Sequence, residues 1–172
     1  MPPTDAELVE LEARRQELRA QYQLPVAERP ASPGRGIHHA ALICSDVEQT
    51  IQFYQGLLGF PLVELVENRD YPGSSHLFFD VGNKTLIGFF DFPKLGLEPG
   101  IEAIGGVQHI AISVAPEQWN EIRAKLDDAG VAYVGPDIGI PESMYFRDPD
   151  GIGLEMLSDP LMYFGGHQLD EV

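Results

Sequence analysis

The chain repeats itself. The run Ile37-His38-His39-Ala40-Ala41-Leu42 is matched by Val107-Gln108-His109-Ile110-Ala111-Ile112, which places His39 and His109 at equivalent positions, 109 − 39 = 70 residues apart. Each copy continues in the same order. Asp46 can cap a helix over Val47 to Leu58 that stops at Gly59, and Pro116 can open a helix over Glu117 to Ala129 that stops at Gly130. Three apolar segments with strand composition follow each helix: Pro61 to Glu67, Ser75 to Val81 and Thr85 to Phe92, then Ala132 to Asp137, Ser143 to Asp148 and Ile152 to Leu157. The pattern predicts an α+β fold of two βαβββ modules, at 36–93 and 106–160, joined by a Gly- and Pro-rich linker at 94–105. A repeat unit of this kind leaves an apolar face open until its neighbour covers it, so the two copies form one domain, 35–172, ending in a tail at 161–172.

The last two predicted strands flank Asp148-Pro149-Asp150-Gly151, where Pro presets φ and Gly accepts a positive φ. This is a hairpin. Strand alternation puts Glu155 on one face and its neighbours Leu154 and Met156 on the other. Tyr145, ten positions earlier, shares the face of Glu155.

Residues 1–34 are a separate helical extension. Thr4 and Asp5 can cap a helix running to about Gln23, with Leu8, Leu11, Leu18 and Tyr22 on one stripe. Pro25, Pro30 and Pro33 end it. A helix this short is marginal alone, so the stripe is expected to dock on the main domain or on a second subunit.

Charge narrows the partners. Eleven Lys and Arg face 27 Asp and Glu, a net charge of −16 that repels phosphate backbones and anionic lipid. Nucleic acid and membrane are thereby disfavoured. The acidic start Met1-Pro2-Pro3-Thr4-Asp5 does not read as a signal peptide, which points to the cytoplasm. The lone Cys44, set among apolar strand residues, reads as a core residue rather than a nucleophile.

The paired modules, with His-x-Ala at His39 and His109 and Tyr-x-x-Asp-Pro-x-Gly-x-x-x-Glu closing at Glu155, resemble the vicinal oxygen chelate superfamily over residues 36–160. This group includes glyoxalases, extradiol dioxygenases, fosfomycin-resistance enzymes and bleomycin-binding proteins. The resemblance implies modules curved around a central divalent metal, with His39, His109 and Glu155 as ligands, and it implies a homodimer. Two imidazoles and one carboxylate leave adjacent coordination positions open, the facial arrangement of non-haem Fe(II) oxygenases. Fe(II) is favoured; Mn, Zn, Ni or Co also suit these donors. The first-module position matching Glu155 is Gly88, or Ile87 after a one-residue shift, and neither binds metal. Glyoxalases and epimerases carry a fourth protein ligand there, so the three-ligand members are the better match.

Around such a metal, His76 and Tyr145 are the candidate catalytic groups. His76 is a candidate acid or base and Tyr145 a candidate donor to a metal-bound oxygen. Phe78, Phe90 and Leu157 would give apolar walls suited to an aromatic substrate. The segment Gly135 to Glu142 lacks the second-sphere histidine of extradiol enzymes and the basic residues that fosfomycin enzymes use for a phosphonate. Three functions follow as expectations: a metal-dependent dioxygenase acting on a small molecule with vicinal oxygens, a redox-neutral lyase, isomerase or epimerase, and a metal-free carrier of a small molecule.

Overall fold

The computed structural model describes residues 2–100, 102–136 and 143–169. It divides the chain into one unit of Gly34–His167 and another of Met1–Pro33 with Gln168–Val172. In the smaller unit, α1 (Asp5–Tyr22) starts with a reciprocal cap. The Thr4 amide donates to Glu7 Oε2 at 2.7 Å while Thr4 Oγ1 accepts from the Glu7 amide at 3.4 Å. No residue of α1 is buried, and the predicted stripe of Leu8, Leu11, Leu18 and Tyr22 is exposed.

The larger unit holds two four-stranded sheets. In the first, β1 (His39–Cys44), β2 (Leu62–Glu67), β3 (Ser75–Asp80) and β4 (Leu86–Asp91) lie in the order β1-β4-β3-β2, with β1 parallel to β4. In the second, β5 (Ile110–Ser113), β6 (Tyr133–Val134), β7 (Ser143–Arg147) and β8 (Gly153–Leu157) repeat that order as β5-β8-β7-β6. The same topology twice is the duplication read from the sequence. The strand predicted over Ala132 to Asp137 is shortened to two residues, and Asp137 to Glu142 lie outside the described residues. The two-residue strands β9 (Tyr163–Phe164) and β10 (His167–Gln168) follow the second module.

The helices differ in one respect from the periodicity. The second module has a plain α-helix, α3 (Pro116–Ala129), whereas α2 (Val47–Ile51) runs into a π-helical turn over Gln52–Leu57. There the Leu58 amide reaches back five residues to Phe53 O at 3.0 Å. Both Phe53 and Tyr54 are buried on this turn.

Those two rings tie the modules into one core. Tyr54 stacks on Phe79 at 5.2 Å and lies 4.9 Å from Phe89, on the helix-facing side of the first sheet. Phe53 lies 6.3 Å from Phe146, on the helix-facing side of the second. α3 adds Trp119, Ile122 and Leu126, and the Trp119 indole donates to Met156 O at 3.1 Å. Leu77, Phe79, Ile87, Phe89, Met144, Leu154 and Met156 complete this core, all but shut off from water. Each such side chain contributes about 1.5–3 kcal/mol by leaving water. By alternation, His39, His76, Phe78 and Phe90 occupy the other face of the first sheet, and Tyr145, Glu155 and Leu157 the other face of the second. Both of these faces are turned away from the shared core.

Candidate metal centre

The second module presents a prepared pair. β5 runs parallel to β8 with Ala111 opposite Glu155, and the chain just before β5 passes close to Gly153. A Cβ at Gly153 would stand 2.6 Å from Gln108 O and 3.2 Å from His109 Cβ, so only glycine lets the two segments approach this far. His109 Nε2 then lies 3.0 Å from Glu155 Oε2. The other imidazole nitrogen, Nδ1, donates to Gln108 Oε1. With that proton committed, the Nε2 lone pair and a carboxylate oxygen face each other, an arrangement satisfied by a proton or a cation between them. Glu155 is 4% exposed, and its second oxygen accepts from Ser143 Oγ at 2.5 Å. Tyr145, opposite Glu155 in the β7–β8 ladder, meets the His109 ring edge to face at 5.6 Å. A cleft of about 530 Å³ opens beside His109 and Tyr145, walled by Val131, Tyr133, Val134 and Arg147.

The first module carries the other candidates. His39 is exposed on β1, its Nδ1 2.9 Å from His38 Nδ1, which leaves Nε2 to point elsewhere. His38 therefore stands to His39 as Gln108 stands to His109. The His39 ring meets Phe78 edge to face at 5.6 Å, and His76 stacks on Phe90 at 3.8 Å and lies 4.2 Å from Phe78. His76 Nε2 is sealed among these rings with no hydrogen-bond partner. Burial, and then the nearby His39 charge, hold the His76 pKa below the ordinary imidazole value.

The registers align the two halves. Ala41 pairs with Gly88 as Ala111 pairs with Glu155, so Gly88 is the counterpart of the carboxylate. By the same alignment Phe78 corresponds to Tyr145, His76 to Ser143 and Phe90 to Leu157. A Cβ at Gly88 would be 2.8 Å from Phe78 Cε1, so the first module fills with an aromatic ring the place where the second has its acid.

The predicted site residues thus fall into two groups. His109, Glu155, Tyr145 and Leu157 lie on one sheet face, and His39, His76, Phe78 and Phe90 on another. Among the described residues no three His, Cys, Asp or Glu side chains converge on a point that could hold a metal. The donor chemistry nonetheless fits a divalent ion as two parts. Each imidazole has its Nδ1 engaged by the preceding residue, the outer contact that aims Nε2 at a metal, and the acid is held by Ser143. Gln108, His38, Ser143 and Gly153 were not singled out from sequence. The signal available was that His38 and Gln108 precede the two candidate ligands at matched repeat positions.

Comparison with known proteins bears on both fold and site. MhqO of Bacillus subtilis (strain 168), whose name assigns it provisionally to the ring-cleaving dioxygenases, is 31% identical over 128 residues, 71% of this chain and 39% of that protein. The chain therefore spans about two fifths of the length of that relative. The metallothiol transferase FosB of Lysinibacillus sphaericus (strain C3-41) is 27% identical over 145 residues, 78% of this chain and 93% of the relative. A glyoxylase/bleomycin resistance protein/dioxygenase domain from Frankia sp. EAN1pec has the same fold, with a TM-score of 0.64 at 20% identity, covering 74% of this chain and 99% of that one. Among the described residues no helix is long and apolar enough to cross a membrane. The family model for the Glyoxalase/Bleomycin resistance protein/Dioxygenase superfamily matches residues 36–156, and the chain belongs to that superfamily.

Proposed function

We propose that this chain is a metal-dependent enzyme, a dioxygenase acting on a small apolar or aromatic molecule that binds the metal through vicinal oxygens. The observation that carries the reading is the His109–Glu155 pair at 3.0 Å, its imidazole tautomer set by Gln108. His39, His109 and Glu155 would hold the ion. Fe(II) is favoured, and Mn, Zn, Ni or Co are compatible with the same donors. When bound, the ion supplies Lewis acidity and, as iron, the capacity to react with oxygen. Tyr145 orients the substrate's oxygens by hydrogen bonding. Phe78, Phe90 and Leu157 exclude water and favour a flat apolar body. His76 moves a proton through Nδ1, since its Nε2 is sealed. The protein acts in the cytoplasm.

The test is anaerobic loading with Fe(II), followed by oxygen uptake across a panel of catechols and related enols. Uptake with at least one member, lost in Glu155→Gln, is expected. Iron bound in one-to-one ratio with no uptake from any member rejects the dioxygenase reading.

A redox-neutral transferase, lyase or isomerase is the second reading. It is supported by the likeness to the metallothiol transferase FosB, 27% identical over 145 residues. Turnover with Zn²⁺ in the absence of oxygen is its signature. A metal-free carrier would instead keep full ligand affinity in His109→Ala.

A further inference from the structure

A chain of polar contacts runs from the linker between the modules to His109. Glu102 Oε1 accepts from the Gln108 side-chain Nε2 at 3.4 Å, and the other end of that amide, Oε1, accepts from His109 Nδ1. His109 Nε2 then faces Glu155 Oε2 at 3.0 Å. Arg147 steadies the far end. Its Nη2 lies 3.8 Å from the same Glu102 oxygen, while its Nη1 donates at 2.7 Å to the carbonyl of Gly151, in the turn that leads into β8.

We propose that Glu102 is a positioning residue for the metal centre: it fixes which way the Gln108 amide points and, through it, which nitrogen of His109 is left bare for an ion. This role presupposes the metal reading of His109 and Glu155. A carboxamide oxygen only accepts and its nitrogen only donates, and reversing the group exchanges the two with almost no change of shape. Gln108 alone would therefore serve either imidazole tautomer. With the amide reversed, its NH₂ would meet a bare Nδ1, and the ring proton would sit on Nε2, where it blocks a metal. The Glu155 carboxylate, a strong acceptor 3.0 Å away, draws the proton to that side. Glu102 opposes it. An ionised carboxylate only accepts, so a reversed Gln108 would set oxygen against oxygen. The NH₂ must face Glu102, the oxygen must face His109, and the proton is kept on Nδ1. Arg147 and Glu102 are each 62% exposed, and such a pair adds little to stability; its part is to keep the acceptor within reach of Gln108.

The experiment is a mutant cycle read by cobalt affinity, the metal being titrated into each protein and followed by its visible absorption. Glu102→Ala and Glu102→Gln should each bind about tenfold more weakly than wild type with an unchanged circular dichroism spectrum, since neither leaves an acceptor-only group opposite the amide. The Gln108→Glu background supplies the rescue. Its carboxylate accepts from Nδ1 whichever way it turns, so Glu102→Ala should cost no affinity there. In Gln108→Leu, with no amide to orient, Glu102→Ala should likewise add no further loss. An equal loss in all three backgrounds would show Glu102 acting on the ion as a remote charge, and would overturn the positioning role. Wild-type affinity in Glu102→Ala overturns that role alone and leaves the metal reading standing. Wild type that binds no cobalt overturns both.

Discussion

The buried Tyr54 hydroxyl donates to Asp148 Oδ2 at 3.1 Å, joining the π-helical turn of the first module to the hairpin turn of the second. The same carboxylate accepts from the amides of Asp150 at 3.0 Å and Ile152 at 2.8 Å, while Asp150 Oδ2 accepts from the Ser45 amide at 3.0 Å. The turn that aims Glu155 is thus gripped by the other half of the molecule. Burial first, then the Asp148 charge, push the Tyr54 pKa well above the ordinary phenol value, so it remains a donor at working pH. Tyr54→Phe leaves a buried acceptor without its partner, at a cost of about 1–3 kcal/mol. A denaturant midpoint equal to that of wild type would show that the contact contributes nothing.

Asp148 also sets a pH dependence. Burial raises its pKa above the ordinary carboxylate range, against the hydrogen bonds that lower it. A folded-state pKa raised in this way stabilises the native state fully below the unfolded pKa and loses that contribution as pH climbs through the folded value. The stability of wild type relative to Asp148→Asn is therefore expected to be greatest below the unfolded Asp pKa of about 4 and to decline as pH rises above it. Denaturation of both proteins at matched pH values checks this, and a constant difference would contradict it.

Gln108 is expected to act through His109. Gln108→Leu leaves Nδ1–H without its acceptor and frees the tautomer, so cobalt affinity should fall about 10–100-fold with an unchanged circular dichroism spectrum. Gln108→Glu keeps an acceptor and should recover most of that loss. Affinity indifferent to both changes would remove Gln108 from the site.

The two close-approach glycines should respond differently. At Gly153 the obstacle is backbone, Gln108 O at 2.6 Å, so Gly153→Ala must displace a chain segment and should cost about 1–3 kcal/mol along with metal affinity. At Gly88 the obstacle is the Phe78 ring at 2.8 Å, which can turn aside, so Gly88→Ala should be milder. Thermal unfolding of the pair decides the order, and a reversed ranking would mean that the Gln108 segment yields more easily than its contacts imply.

Cys44 should be inert. Burial pushes its thiol up to about 11, and nothing in the site uses it. Disulfide-exchange reagents near neutral pH should label one thiol only after unfolding. Rapid labelling of the native protein would mean that β1 opens readily.

Much of the fold was legible because its signals are local and repeated. The matched His-x-Ala runs, the helix stops at Gly59 and Gly130, and the Asp148 to Gly151 turn each act within a few residues, and the duplicated sheet order follows from them. Alternation also placed Leu154 and Met156 opposite Glu155, as found. Other features depend on distant partners. The π-helical turn after Ile51 has no periodicity of its own; it is selected by Phe53 and Tyr54 filling the space between two sheets. The grouping of His39 with His76 and of His109 with Glu155 depends on which faces the core covers, which a one-dimensional pattern does not encode. Sequence left Gly88 and Ile87 as alternatives for the first-module counterpart of Glu155, and only the pairing of Ala41 with Gly88, matching that of Ala111 with Glu155, decides between them.

Trp119 is the only tryptophan in the chain; it is 3% exposed, and its indole donates to the carbonyl of Met156, the residue after Glu155. The protein therefore carries its own optical gauge, a single fluorophore wired to the strand that bears the acid. A change of emission on adding metal or a partner chain would report on that strand without any label.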